Sequence, residues 1–273
     1  MTDAVAAHYS GSGSLAAMIA SSFLTVGKEL NTLGTGDLAA FDEFHIRGRT
    51  ATLELAQQMR LHSDALVLDI GSGLGGPART LAEEYGCHVI GIDLTATFCE
   101  AATAMSNWVG LGDRVEFRQA DATGLPFPDH RFDAAMTIHV AMNISAKDRM
   151  YKEARRVLKP GSIFVVYAVL QGEGGEVLFP VPWARDPLIS HLATPQGMVA
   201  LLNEAGFNIL AVHDSTAESQ EFFEAMMARI AQSGAPLVGW QTFLGDDFPT
   251  MARNQVRNVT ERRIRTISYI CEA

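Results

Sequence analysis

Residues 67–80, "VLDIGSGLGGPART", decide the fold of this chain. A short apolar run carries an acid, Asp69, near its end. A glycine loop follows (Gly71, Gly73, Gly75, Gly76), and a helical pattern begins at once. In an open α/β sheet, ligands bind at the carboxyl end of the first strand, where such a loop lies. Gly71, Gly73 and Gly76 also satisfy the spacing of a dinucleotide site, with Asp93 at the end of the next apolar run. Asp69 separates the two readings. A pyrophosphate rests on the positive helix terminus, and a carboxylate beside it would repel it. A cationic ligand without phosphate would be attracted.

The pattern around the loop is an alternation. Apolar runs at 65–70, 87–92, 114–119, 132–138 and 162–170 are separated by helical segments at 76–85, 95–110 and 146–157. Strand, helix, strand in this order predicts parallel pairing through right-handed crossovers. Ser145 with Asp148 three residues on marks a helix start, and "KPGS" (159–162) is the turn into the fifth strand. Before the core, 15–33 and 38–60 read as two helices, preceded by a linker-like "SGSGS" at 10–14. After it come a Gly- and Pro-rich loop, "GEGGEVLFPVPWARDP" (172–187), and a helix at 194–207 opened by Thr194 and Pro195 and closed by Gly206. A strand at 207–213, a mostly helical stretch at 217–260 and a closing strand at 262–272 complete the chain. The expected organisation is one doubly wound α/β domain. It comprises an N-terminal helical cover (1–62), a ligand-binding core (63–215), a helical insertion (216–261) and a closing strand (262–273).

The chain has 273 residues, 48% of them hydrophobic, with a formal net charge of -10. An acidic surface argues against nucleic acid, which needs phosphate neutralisation, and against anionic membranes. Cys87, Cys99 and Cys271 are scattered, without disulfide or zinc spacing, as in a reducing cytoplasm. No basic segment precedes the mildly apolar run at 15–26, so no signal peptide is expected, and the expected compartment is cytoplasmic.

S-Adenosylmethionine meets the requirement set by Asp69: an ammonium, a sulfonium and no phosphate. Asp69 can attract the ammonium, and the glycines with Ser72 let the backbone approach. Asp93, followed by Leu94, can accept the ribose hydroxyls. Asp121 can accept from the adenine amino group, while Ala122 N–H meets the ring beside Ala120.

"VLDIGSGLGGPARTLA" (67–82), "GIDLT" (91–95), "QADATGLPFPDHRFDAA" (119–135) and "RRVLKPGSIFVV" (155–166) resemble, in order, the motifs of class I S-adenosylmethionine-dependent methyltransferases. "GGPAR", "FDEFHIRGR" (41–49) and "HVAMNI" (139–144) are most similar to small-molecule enzymes of the sarcosine/dimethylglycine N-methyltransferase and tocopherol methyltransferase type. The resemblance covers about residues 40–215. It implies a Rossmann-like seven-stranded, mostly parallel sheet with helices on both faces, whose last strand is antiparallel. It also implies S-adenosylhomocysteine as product.

His139, just past the fourth strand, is expected to line the cofactor site and to act in catalysis with Asn143 and His45. Met142, Asn143, Trp183 and Arg47 are the substrate candidates; Trp183 would offer an aromatic face to a cation. A structural role is open for each, and for Arg47 and Arg49 a solvated helix face is favoured. The aromatic residues at 222–248 (Phe222, Phe223, Trp240, Phe243, Phe248) read as core. The leading expectation for the reaction is N-methylation of a small amine, with Arg47, Arg49 or Arg185 holding its carboxylate and His139 or His45 taking a proton. The alternatives are S-, O- or C-methylation of a small metabolite, an NAD-linked oxidoreductase, and a non-catalytic adenosyl-binding protein. No metal is expected, and a homodimer stays open.

Overall fold

The computed structural model describes residues 14–233, 239–240 and 244–273. The strands are β1 (Leu66–Ile70), β2 (His88–Asp93), β3 (Val115–Gln119), β4 (Phe132–Ile138), β5 (Leu158–Gln171), β6 (Asn208–Asp214) and β7 (Ile264–Glu272). They form one seven-stranded sheet in the order β3-β2-β1-β4-β5-β7-β6. β7 runs antiparallel to both β5 and β6, and the other pairs are parallel. β2 and β4 lie on opposite sides of β1, so the direction of winding reverses there and a crevice opens beyond the β1 carboxyl end.

Side-chain alternation divides the sheet between two cores. Leu68, Ile70, Ile90 and Ile92 face α6 (Lys147–Val157) and α7 (Pro195–Glu204). Val67, Val89, Ala134 and Met136 face α3 (Gly48–Ala56) and α4 (Gly76–Tyr85). Most signals at the helix ends act as the sequence predicts. Thr194 Oγ1 accepts from Gly197 N (3.0 Å) at the start of α7, and Gly206 takes φ 92 at its end. Ser145 does not: Ala146 stands at the boundary of α6, and no side chain caps it.

The N-terminal cover departs from the two expected helices. It is broken into α1 (Leu15–Thr25), α2 (Thr35–Asp42) and α3. Gly27 (φ 77) ends the first segment, and Arg47 (φ 72) stands at the head of the third, because a left-handed residue cannot continue a right-handed helix. Of the "SGSGS" run only Ser14 lies within the described residues; its Oγ accepts from Ala17 N (3.3 Å). The cover packs Phe23, Leu38 and Phe41 against Leu74 of the glycine loop and Phe98 of α5 (Ala96–Trp108).

One buried ion pair fastens this packing. Arg79 of α4 is wholly buried and donates to Asp42 Oδ2 at 2.6 Å. It also donates to Ala102 O (3.0 Å) and Ser106 Oγ (2.9 Å) on α5, and to Leu74 O. Burial pushes the Asp42 carboxyl up to about 6, against the pull of Arg79. Beneath Asp42 lies Gly76: a Cβ there would stand 2.5 Å from the Asp42 carbonyl oxygen.

The C-terminal part carries α8 (Thr216–Ser233) and α9 (Phe248–Thr260); Phe243 lies outside the described residues. α9 holds the 172–187 loop. Asn258 pairs with both backbone groups of Leu178 (2.9 and 3.0 Å), and Asn254 Nδ2 donates to Pro180 O (2.9 Å). Among the described residues no helix is long and apolar enough to cross a membrane.

Removing one partner of a buried pair strands the other charge. Arg79→Met is therefore expected to lower stability by about 3–5 kcal/mol in urea unfolding. Adding Asp42→Leu to that variant should recover a large part of the loss. Absence of recovery would show that the pair is not its source.

Candidate active site

A cavity of about 390 Å³ opens at the carboxyl ends of β1, β2 and β4. Asp69, Gly71, Ser72, Gly73, Asp93 and Leu94 line it, as do Ala120, Asp121, Ala122 and His139. Gly75 and Gly76 do not. Instead they let helix and loop pack: a Cβ on Gly75 would meet Phe117 Cζ at 2.4 Å, and Gly76 lies under Asp42. Gly71 (φ 77) has a further reason to be glycine, since its Cβ would fall 2.3 Å from Val140 Cγ2.

Asp69 is almost fully buried, and among the described residues its Oδ2 has no hydrogen-bond partner; nor has the buried Ser72 Oγ. Burial raises the Asp69 carboxyl to about 8, with Asp93 and Glu43 adding to the effect. An unpaired carboxylate facing a cavity of this size fits a ligand that brings its own ammonium. Asp69 does not cap the helix after the loop, whose first boundary residue is Gly75.

Asp93 has a second task beyond the expected one. Its Oδ2 accepts from Gly73 N (2.9 Å) and its Oδ1 from Thr95 N (2.9 Å), which holds the glycine loop in shape. Each oxygen keeps a lone pair for a ligand hydroxyl. Asp121 Oδ1 accepts from Thr123 N and Thr123 Oγ1, both at 2.8 Å. The carboxylate thus makes a turn and lines the cavity at once.

A smaller chamber of about 40 Å³ adjoins the first and shares Phe44, His45 and His139 with it. Its other walls are Ile46, Met142, Pro182, Trp183, Phe223, Trp240 and Gln255. Two of the substrate candidates, Met142 and Trp183, therefore sit together here. Trp183 is held by its Nε1–H on Ser190 Oγ (3.1 Å).

Three expectations change. Asn143 lines the larger cavity, but its Nδ2 donates to Trp183 O (2.8 Å) and Ile189 O (3.1 Å), so its amide positions the 183–189 loop. Arg47 lines neither cavity; its guanidinium is taken by Glu54 at 2.6 and 2.7 Å. Arg49 binds Glu83 (2.8 Å) and Thr80 (3.0 Å), and Arg185 binds Asp247 (3.2 Å) and Leu244 O (3.0 Å). None of these arginines is left to hold a substrate carboxylate. Arg149 lines the larger cavity only and donates to Thr123 O (3.4 Å).

The two histidines differ in what they can do. His139 sits at φ 52, its ring against Tyr167 (4.6 Å between centroids). Its Nδ1 accepts from Ile46 N (3.4 Å), which places the proton of the neutral ring on Nε2. Burial, with His45 nearby, holds its pKa well below the ordinary value. His139 is therefore a donor at Nε2, not the proton acceptor expected from the sequence. His45 has the same tautomer but the other nitrogen engaged: its Nε2–H donates to Gly48 O (3.0 Å), leaving the lone pair on Nδ1. Burial lowers its pKa to about 4. Beside it Glu43 accepts from Thr52 Oγ1 (2.7 Å) and Thr80 Oγ1 (2.9 Å).

Phe44, Trp240 and Gln255 were not among the expected site residues. Gln255 had a legible signal. It falls between Met251 and Val259 at four-residue spacing, a polar residue on the buried face of α9.

With its carboxyl raised to about 8 by burial, Asp69 is expected to hold a proton at pH 7 until a bound ammonium favours the carboxylate. Binding of S-adenosylmethionine at pH 7 is therefore expected to release about one proton. Asp69→Asn should abolish that release and weaken binding on the order of tenfold to a hundredfold. Calorimetry in buffers of different ionisation enthalpy reads both. Equal release from the two proteins would count against this role.

Comparison with known proteins agrees with the geometry. Residues 68–166 match the family model described as a methyltransferase domain. A sterol 24-C-methyltransferase of Gibberella zeae is 39% identical over 113 residues, which are 41% of this chain and 30% of that enzyme. This chain therefore matches less than a third of that relative's length. Among solved structures, the phosphoethanolamine N-methyltransferase 2 of Haemonchus contortus with S-adenosyl-L-methionine superposes with TM-score 0.73 at 20% identity, over 85% of this chain and 54% of that one. The [4+2]-cyclase SpnF superposes with TM-score 0.67 at 24% identity, over 93% of each chain. These two likenesses concern the fold. The family match runs from β1, through the glycine loop, Asp93 and Asp121, into β5, and the core of this chain resembles a methyltransferase domain over residues 68–166.

Proposed function

We propose that this protein transfers a methyl group from S-adenosylmethionine to a carbon atom of a lipophilic, isoprenoid- or sterol-like acceptor. The observation that carries this reading is the small chamber, walled by Phe44, Ile46, Met142, Trp183, Phe223 and Trp240 and sharing Phe44, His45 and His139 with the cofactor cavity. A glycine-derived amine would need a cation for its carboxylate, and Arg47, Arg49 and Arg185 are all engaged elsewhere. The resemblance of the core to a sterol 24-C-methyltransferase supports the same acceptor class. At about 40 Å³ the chamber suits the reacting end of such a molecule, not a whole ring system.

The cofactor supplies an electrophilic methyl on a sulfonium. Asp69, the loop backbone and Asp93 would hold it, with Asp121 and Ala122 at the adenine end. The chamber's work is to align an acceptor double bond with that methyl and to exclude water. As the new carbon–carbon bond forms and the methyl–sulfur bond breaks, positive charge develops on the neighbouring acceptor carbon. The aromatic rings of Phe44 and Trp183, which line the chamber, would stabilise it. A proton must then leave, and His45, neutral with its lone pair on Nδ1, is the group suited to take it.

The test is to incubate the protein with methyl-labelled S-adenosylmethionine and a panel of sterols, isoprenoids, phenols, sarcosine and dimethylglycine, reading products by mass spectrometry. Carbon-methylated lipid is expected, with no product from the glycine derivatives. His45→Ala should lower kcat on the order of a hundredfold or more, a larger effect than on cofactor binding. Robust transfer to sarcosine or dimethylglycine would overturn the reading.

A further inference from the structure

The small chamber is not wholly apolar. Trp240 Nε1–H and His139 Nε2–H are both closed off from solvent and have no hydrogen-bond partner among the described residues. Gln255 is only 8% exposed, and its amide makes no hydrogen bond among the described residues. Beside His45, three unpartnered polar groups thus meet in one small space, two of them donors and one able both to donate and to accept.

Their positions come from three separate elements, so one local turn does not account for them. His139 follows β4, with its proton held on Nε2 by the Ile46 bond to Nδ1 (3.4 Å). Trp240 is set edge-on to Phe44, ring centroids 4.8 Å apart. Gln255 projects from the buried face of α9, which Asn254 and Asn258 tie to the 178–180 backbone. A hydrocarbon filling the chamber would leave all three groups buried and unsatisfied, which is unfavourable. An oxygen there would satisfy them.

We propose that Gln255, Trp240 and His139 form a hydrogen-bonding cradle for an oxygen function of the methyl acceptor, a hydroxyl or a carbonyl carried close to the methylated carbon. This rests on the lipophilic acceptor proposed above and narrows it: the end that enters the chamber is oxygenated. Trp240 and His139 donate to the oxygen. Gln255 accepts from it when it is a hydroxyl and donates when it is a carbonyl. The cradle is thereby a specificity determinant that separates an oxygenated lipid from its hydrocarbon counterpart.

The experiment uses the full chain loaded with S-adenosylhomocysteine. It measures binding of geraniol, geranial and the matched hydrocarbon 2,6-dimethylocta-2,6-diene by equilibrium dialysis with mass-spectrometric detection. One or both oxygenated probes should bind on the order of tenfold or more tighter than the hydrocarbon. A preference for geraniol identifies a hydroxyl site, and a preference for geranial a carbonyl site. Gln255→Leu should erase the preference without weakening the hydrocarbon. Its affinity for S-adenosylhomocysteine should not change, which verifies the fold; Trp240→Phe provides an independent second variant, expected to reduce the preference. Equal binding of all three probes, or a preference untouched in both variants, would overturn the cradle and leave the lipophilic reading standing. Binding of none of them, with S-adenosylhomocysteine still bound, would overturn both.

Discussion

The arrangement of this molecule depends on a guanidinium with no access to water. Arg79 reaches from α4 to the cover at Asp42, to α5 at Ala102 and Ser106, and to the glycine loop at Leu74. A planar, permanently charged fork is suited to this task, since a lysine could not satisfy so many acceptors in fixed directions. The desolvation of both charges is costly, and buried pairs are often no better for stability than apolar packing. What this pair achieves is register. The backbone of Asp42 lies over Gly76, and the residues after it, Glu43 to Arg47, turn left-handed at Arg47 rather than continuing the helix. That turn carries Phe44 and His45 to the cavity.

The site divides its chemistry between two spaces. The larger one is acidic, with an unpaired carboxylate at Asp69 and two further acids that also shape their own loops. The smaller is aromatic and takes its few polar groups from His45, His139, Trp240 and Gln255. His139 and His45 stand on the boundary with rings 5.9 Å apart and both carry the proton on Nε2, yet they leave different nitrogens unengaged, because Ile46 N–H meets Nδ1 of one and Gly48 O meets Nε2 of the other. Two similar side chains are thus given different roles by single backbone groups.

The fold was legible because its signals are local. Apolar runs and helical periods alternate, and the acid of β1 lies within a few residues of the glycines it serves. The places where sequence reasoning failed are those decided across long separations. Nothing near Arg79 announces that Asp42, 37 residues earlier, will be its partner. Arg47, Arg49 and Arg185 read as free cations until folding brings Glu54, Glu83 and Asp247 to them. Asn143 looked like a ligand-binding amide because the backbone carbonyls it binds lie 40 and 46 residues on. The broken cover hinged on Arg47 adopting a left-handed conformation, which few side chains take and no periodicity reveals. Gln255 was readable in principle, as a polar interruption of an apolar stripe.

Phe44 and His45 form part of the wall of both cavities. A wall shared in this way cannot respond to one occupant without the other. Whatever free energy a bound cofactor contributes to holding the 43–47 turn in place is available to the acceptor, and the converse holds by the same amount. The cover is then a coupling element as much as a lid: donor and acceptor affinities are linked through a turn of a few residues, anchored by a charge pair whose acid, Asp42, itself lines the cofactor cavity.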